Sequence, residues 1–172
     1  LGKTAYARGD YDQAQEFYSE SLEIQRKLGI KGDIALTLHL MAGAANSQRD
    51  FEKALSLYGE SIRLCREMDD KEGMAENLSR LPAILVALSE PRKAAHLMGA
   101  ADALRNAIGF APPPRDREAI DRLAATLRAA LGTATFNLAW EDGNSLTREQ
   151  AAACALGEAL PDIQRENRLD HD

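Results

Sequence analysis

The chain has 172 residues, 45% hydrophobic and 28% charged, with four Phe, four Tyr and one Trp; that is material for one packed core, and it excludes a disordered or fibrous chain. Its net charge is −6, from 21 Lys and Arg against 27 Asp and Glu. With no basic run it offers no footing for a phosphate backbone or an anionic membrane, so direct nucleic-acid and membrane partners are excluded.

Cys65 and Cys154 lie far apart and neither belongs to a C-x-x-C pair, which argues against a disulfide framework and against a zinc ribbon. Both are expected to be reduced, in a cytoplasmic protein. No window approaches the roughly 18 apolar residues of a membrane span.

An internal repeat organises the chain. A slide of 40 residues brings Asp10, Tyr11, Ala14, Tyr18, Ser21, Leu22 and Arg26 onto Asp50, Phe51, Ala54, Tyr58, Ser61, Ile62 and Arg66. A second slide brings Lys53, Ala54, Leu57, Gly59 and Leu64 onto Lys93, Ala94, Leu97, Gly99 and Leu104, and Lys31, Ala35 and Leu38 recur as Lys71, Ala75 and Leu78. Within each unit the apolar residues fall three and four apart, as in Tyr11, Ala14, Tyr18 and Leu22, the period of amphipathic helices.

In chain order this predicts helices at 1–8, 11–28, 33–48, 51–68, 73–88 and 91–108. Asp10 with Gln13 and Thr147 with Gln150 have capping-box spacing, Pro91 suits a first helical position, and Gly29 and Gly109 suit C-terminal caps. Pro82 interrupts the helix at 73–88, in the small-residue slot that Gly2 and Ala42 fill in the other units. A kink is expected there, since proline removes a donor and clashes with the preceding turn.

The run Pro112, Pro113, Pro114 closes the repeats. Helices are then predicted from Arg115 to Leu131 with a Gly132 cap, from Phe136 to Trp140 ended by Gly143, and from Thr147 to about Leu160. Phe136 and Trp140 form an i, i+4 aromatic pair expected to plug the end of the core, docking with Leu156 on the last repeat. The polar segment from Pro161 is expected to fray. The predicted division is therefore repeats over 1–110, capping helices over 111–160 and a tail over 161–172.

The small–aromatic–small spacing of Ala14, Tyr18 and Ser21, and of Ala54, Tyr58 and Ser61, resembles the second helix of a tetratricopeptide repeat. Leu1-Gly2 sits where that family places a Leu-Gly pair in the first helix, so the chain is expected to be a fragment beginning inside a truncated repeat. The 40-residue period is longer than that family's usual repeat. A second resemblance covers residues 94–157: Ala-Ala-His-Leu-Met-Gly-Ala-Ala-Asp-Ala-Leu-Arg (94–105), the proline turn, Leu-Arg-Ala-Ala-Leu-Gly (127–132), Phe136, Ala139-Trp140 and Leu-Thr-Arg-Glu-Gln-Ala (146–151). These follow the order seen in the C-terminal repeat region of large bacterial ATP-dependent transcriptional regulators of the LuxR-type and antibiotic-regulatory families.

The resemblance implies an all-α tetratricopeptide-like superhelix with a helical cap. On that resemblance it is expected to act as a protein–protein interaction and regulatory sensor module, whose partner is a protein, a peptide or another domain of the parent chain. A stand-alone adaptor, or a receptor for a small molecule or signalling peptide, are the alternatives. In such a superhelix the first helices line a concave groove. The register then assigns to the groove Lys3 and Tyr6; Leu36, His39, Gly43 and Asn46; and Glu76, Ser79, Ala83 and Val86. Lys3 and Asn46 are the residues expected to grip a carboxylate or peptide backbone.

No enzyme, cofactor or metal is expected. Gly2-Lys3-Thr4 lacks the earlier glycine and the strand of a phosphate-binding loop. His39 and His96 have no second ligand at helical spacing, and Asp170-His171-Asp172 lies in the tail. Asp69-Asp70-Lys71-Glu72 reads as a helix-connecting turn, and Asn77-Leu78-Ser79 as a sequon without meaning inside a helix. There is no Gly-x-Ser-x-Gly elbow, and Cys65 has no evident histidine partner.

Overall fold

In the computed structural model residues 1–158 are described. Their elements are α1 (Gly2–Ala7), α2 (Tyr11–Leu28), α3 (Lys31–Ser47), α4 (Phe51–Met68), α5 (Lys71–Ala87), α6 (Pro91–Ile108), α7 (Pro114–Leu131), α8 (Thr133–Asn144) and α9 (Arg148–Leu156), with no strand among the described residues. Successive helices pack in order from α1 to α6. The architecture is an all-α, tetratricopeptide-like superhelix.

The period of 40 is written into the backbone. Helices α2, α4 and α6 each start 40 residues after the last, as do α3 and α5. The turns repeat too. Gly9, Arg49 and Ser89 all have φ between 63° and 81°. Gly29, Asp69 and Gly109 close α2, α4 and α6 in the left-handed conformation. Asp10 and Asp50 cap α2 and α4 by accepting from the backbone N–H of Gln13 and Lys53. Glu90, one methylene longer, makes no such cap, and Pro91 begins α6 instead. Helices α3 and α5 start at Lys31 and Lys71, two residues before the sequence reading placed them; for α5 the reason is Asp70, which caps the N–H of Gly73 at 2.9 Å.

The repeated alanines Ala14, Ala54 and Ala94 are fully buried, with Tyr18, Tyr58 and Met98 one turn on. Gly2 is required by its neighbour, because a Cβ there would lie 2.5 Å from the Tyr18 ring. Pro82 is buried inside α5; lacking an N–H, it leaves the carbonyl of Leu78 without its i+4 donor.

The cap departs from the sequence reading in three places. Helix α8 runs from Thr133 to Asn144, so Gly143 lies inside it instead of ending it. It serves close approach: a Cβ on Gly143 would sit 1.8 Å from the carbonyl oxygen of His96, and one on Gly99 would sit 2.0 Å from that of Trp140. Helix α8 thereby packs on α6 as closely as α5 does. Second, α9 ends at Leu156 with Gly157 as its left-handed cap, where the sequence reading ran to Leu160. It is opened by the capping box of Thr147 and Gln150 that the spacing predicted. Third, Leu156 reaches beyond the last repeat to Gly59 of α4, because α9 lies over α4 as well as over α5 and α6. Phe136 and Trp140 find separate partners. Arg128 lies 4.4 Å over the Phe136 ring, and the Trp140 indole N–H donates to Asp102 Oδ2 at 3.1 Å.

Two substitutions test these constraints in opposite directions. Gly143→Ala drives a methyl group into backbone, and we expect it to lower stability by about 2–3 kcal/mol, the cost of overpacking a fixed contact. Ser89→Gly relieves a left-handed residue and should raise stability by about 0.5–1 kcal/mol. Urea unfolding followed by circular dichroism measures both.

Candidate partner-binding groove

Helices α3 and α5 are flanked on two sides by second helices of the repeats, so about half of the residues of each, mostly apolar, are buried. A single stripe on each is left for solvent. All ten residues assigned to the groove lie outside the buried core. Lys3, Tyr6, Leu36, Glu76 and Ala83 are exposed, and His39, Gly43, Asn46, Ser79 and Val86 are half-buried.

Three cavities follow this stripe. The first, about 490 Å³, lies among α1, α2 and α3 and is bordered by Lys3, Phe17, Ile24 and Leu36. The second, about 260 Å³, is bordered by Leu36, His39, Cys65 and Glu76. The third, about 440 Å³, is bordered by Asn46, Glu76, Ser79 and Ala83 on one side and by α7 on the other. Leu36 borders the first two and Glu76 the last two, so the cavities are neighbours along the stripe. Lys3 and Asn46 stand on different cavities and do not converge as a carboxylate clamp. Tyr6 bonds Ser47 across the first repeat boundary at 3.2 Å.

The floor of the middle cavity is a chain of polar groups inside the core. Asn77, 1% exposed, accepts from His39 Nδ1 at 2.9 Å, donates to Ser61 Oγ at 2.9 Å and donates to the Gly73 carbonyl at 2.8 Å. The Ser61 hydroxyl in turn donates a hydrogen bond to the Ala35 carbonyl at 2.8 Å. With both Asn77 amide hydrogens engaged, its oxygen faces His39, so Nδ1 of that ring carries hydrogen. Asn77, dismissed with its sequon, is the hub joining α3, α4 and α5. A helical asparagine without a capping role was the available signal.

The sequence reading found no evident histidine partner for Cys65, and the groups that meet its sulfur in the structure are an acid and an amide. Its thiol reaches Asp70 Oδ2 at 3.8 Å, and the Asn77 amide approaches its sulfur at 3.8 Å. Burial first, then the Asp70 charge, pushes the thiol pKa up to about 11, so it stays protonated and is a poor nucleophile. Burial likewise raises Cys154 and pushes the Tyr58 phenol up to about 12. The Tyr58 ring stands edge-on to His39 at 5.5 Å. Among the described residues no three His, Cys, Asp or Glu side chains gather as a metal site, and no helix is long and apolar enough to cross a membrane. The Asp170-His171-Asp172 segment lies outside the described residues.

Residues 1–67, from α1 to the last turn of α4, match the tetratricopeptide repeat family, so the chain contains a tetratricopeptide-repeat region. Repeats of this kind are non-catalytic scaffolds that mediate protein–protein interaction. No curated protein and no solved structure matches the chain significantly.

His39 gives the groove a pH signature. Burial lowers its pKa from the ordinary 6.5, against smaller raising effects of Asn77 and Glu76. The unfolded chain therefore binds the proton more readily. Stability is level above the unfolded pKa and declines as pH falls through it. Between about pH 7.5 and about pH 5.5 the urea midpoint should drop, and His39→Gln should flatten part of that drop. An equal slope in the variant would remove His39 from the account.

Proposed function

We propose that the chain is the partner-sensing module of a larger bacterial ATP-dependent transcriptional regulator, acting in the cytoplasm. It holds a protein or peptide, or another domain of its parent chain, along the concave path from Lys3 to Val86. It performs no chemistry itself. The observation that carries the binding reading is the succession of three neighbouring cavities along the first-helix stripe, with Leu36 and Glu76 each bordering two of them. An extended partner fits such a path, since each repeat presents one short stretch of it. The regulator context rests on the ordered residues of 94–157, and the acidic net charge of −6 assigns any DNA contact to a different part of the parent.

Capture of the partner by the intact protein tests the groove. Leu36→Glu combined with Glu76→Arg should reduce capture at least tenfold, as expected when central contacts are lost. Glu52→Lys, on the outer face of α4, should leave it unchanged. Equal capture by both variants would place the partner elsewhere. The regulator context requires the parent gene to encode nucleotide-binding and DNA-binding modules, and a gene without them overturns it.

A further inference from the structure

The third cavity differs from the other two in having a roof. Helix α7 stands across it from α5, strung between the proline turn and Gly132, and it sends Ile120 and Leu123 into the wall that Phe110 and Pro112 continue. Its volume of about 440 Å³ lies within the roughly 300–1,000 Å³ usual for small-ligand sites.

The charges are unevenly engaged. Arg105 forms part of the lining; its side chain is 7% exposed and is held by Ser79 and by Asp102, which also accepts from Trp140. Arg80, half exposed, meets Asp116 of α7 only at 3.5 Å. Arg122 meets Glu118 at 3.7 Å with both side chains in solvent. Long, exposed pairs of this kind contribute little, so Arg80 is free to exchange Asp116 for another carboxylate. Glu76, the acid of the opposite rim, is exposed and shared with the neighbouring cavity, where water screens it.

We propose that this cleft binds a small amphipathic monocarboxylate, with its apolar body against Phe110, Ile120 and Leu123 and its carboxylate on Arg80. A guanidinium at the mouth and a fixed one in the lining favour an anion there through charge-assisted hydrogen bonds, and the apolar wall sets the preference for a hydrocarbon or aryl body. The cleft shares Asn46, Glu76, Ser79 and Ala83 with the proposed partner path, so ligand and partner compete for this end of it, and titration of the chain alone tests the cleft whichever partner the rest of the groove holds.

Calorimetric titration of the whole chain with 4-phenylbutyrate and octanoate tests it, with 4-phenylbutanol, octanamide and 4-phenylbutylamine as matched probes. Trp140 emission is a second readout, because Asp102 links the indole to Arg105. One saturable site is expected, with the acids at least about tenfold tighter than the alcohol, amide or amine. Arg80→Met should erase that preference while leaving weak binding of the apolar body. Ala83→Trp, which fills the cleft from an exposed position, should abolish binding. Should that variant fail to fold, Ala119→Trp fills it from the opposite wall. Failure of every acid to saturate, tighter binding of the amine, or binding that survives both the filled cleft and the loss of Arg80 would overturn the proposal.

Discussion

The close crossing of α8 on α6 decides the shape of everything beyond the third repeat. Continuing the period would seat the stretch after the proline turn, now α7, as the next first helix against α6. Gly99 and Gly143 instead let two backbones meet with no side chain between them, and α8 takes that seat. Dispersion between closely packed atoms falls steeply with separation, so this contact fixes α8 more firmly than its modest apolar content would. Helix α7 is left with a single fully buried residue, Leu127, and leans across the concave side. The roofed cleft is a consequence of that displacement.

The repeat was legible because its signals are local and redundant. A helix of the right period, a carboxylate at the N-cap and a left-handed residue at the C-cap all recur at one spacing, so each supports the others. Gly29 and Gly109 announced two of the six left-handed turns of the repeats; Arg49, Asp69 and Ser89 occupy the same conformation without glycine and were not read from the sequence. The cap was harder. Gly143 has the same letter as a helix stop, and only the backbone of α6 on its other side shows that it permits approach instead. The fold-back of α9 onto Gly59 is likewise a long-range contact with no local mark.

The polar chain under the groove shows a second limit of sequence reading. Asn77 occupies the position that Thr37 holds one repeat earlier, and both are buried. What separates them is the set of neighbours: Ser61, Gly73 and His39 each supply the complementary donor or acceptor within 2.9 Å. A buried amide left unpaired costs about 1–3 kcal/mol, so the residue is tolerated only where all its partners come together. That condition is set by three helices at once and is invisible in any one of them.

The two complete first helices allow the groove to be separated from the core by internal comparison. Apart from Thr37 and Asn77, matched positions facing the core stay apolar, as in Ala35 and Ala75, Leu38 and Leu78, Met41 and Leu81, and Ala45 and Leu85, all buried. The outward stripe does the opposite, pairing Leu36 with Glu76, His39 with Ser79, Gly43 with Ala83 and Asn46 with Val86. Packing constrains volume and polarity wherever a neighbouring helix must fit, and it places no such demand on a side chain that meets solvent. A stripe governed only by solvation would nevertheless favour charged and polar residues throughout. The apolar Leu36 and Val86 on it, and the change of chemistry at three of the four matched positions, fit the asymmetric extended partner proposed above, because each repeat would then meet a different part of it.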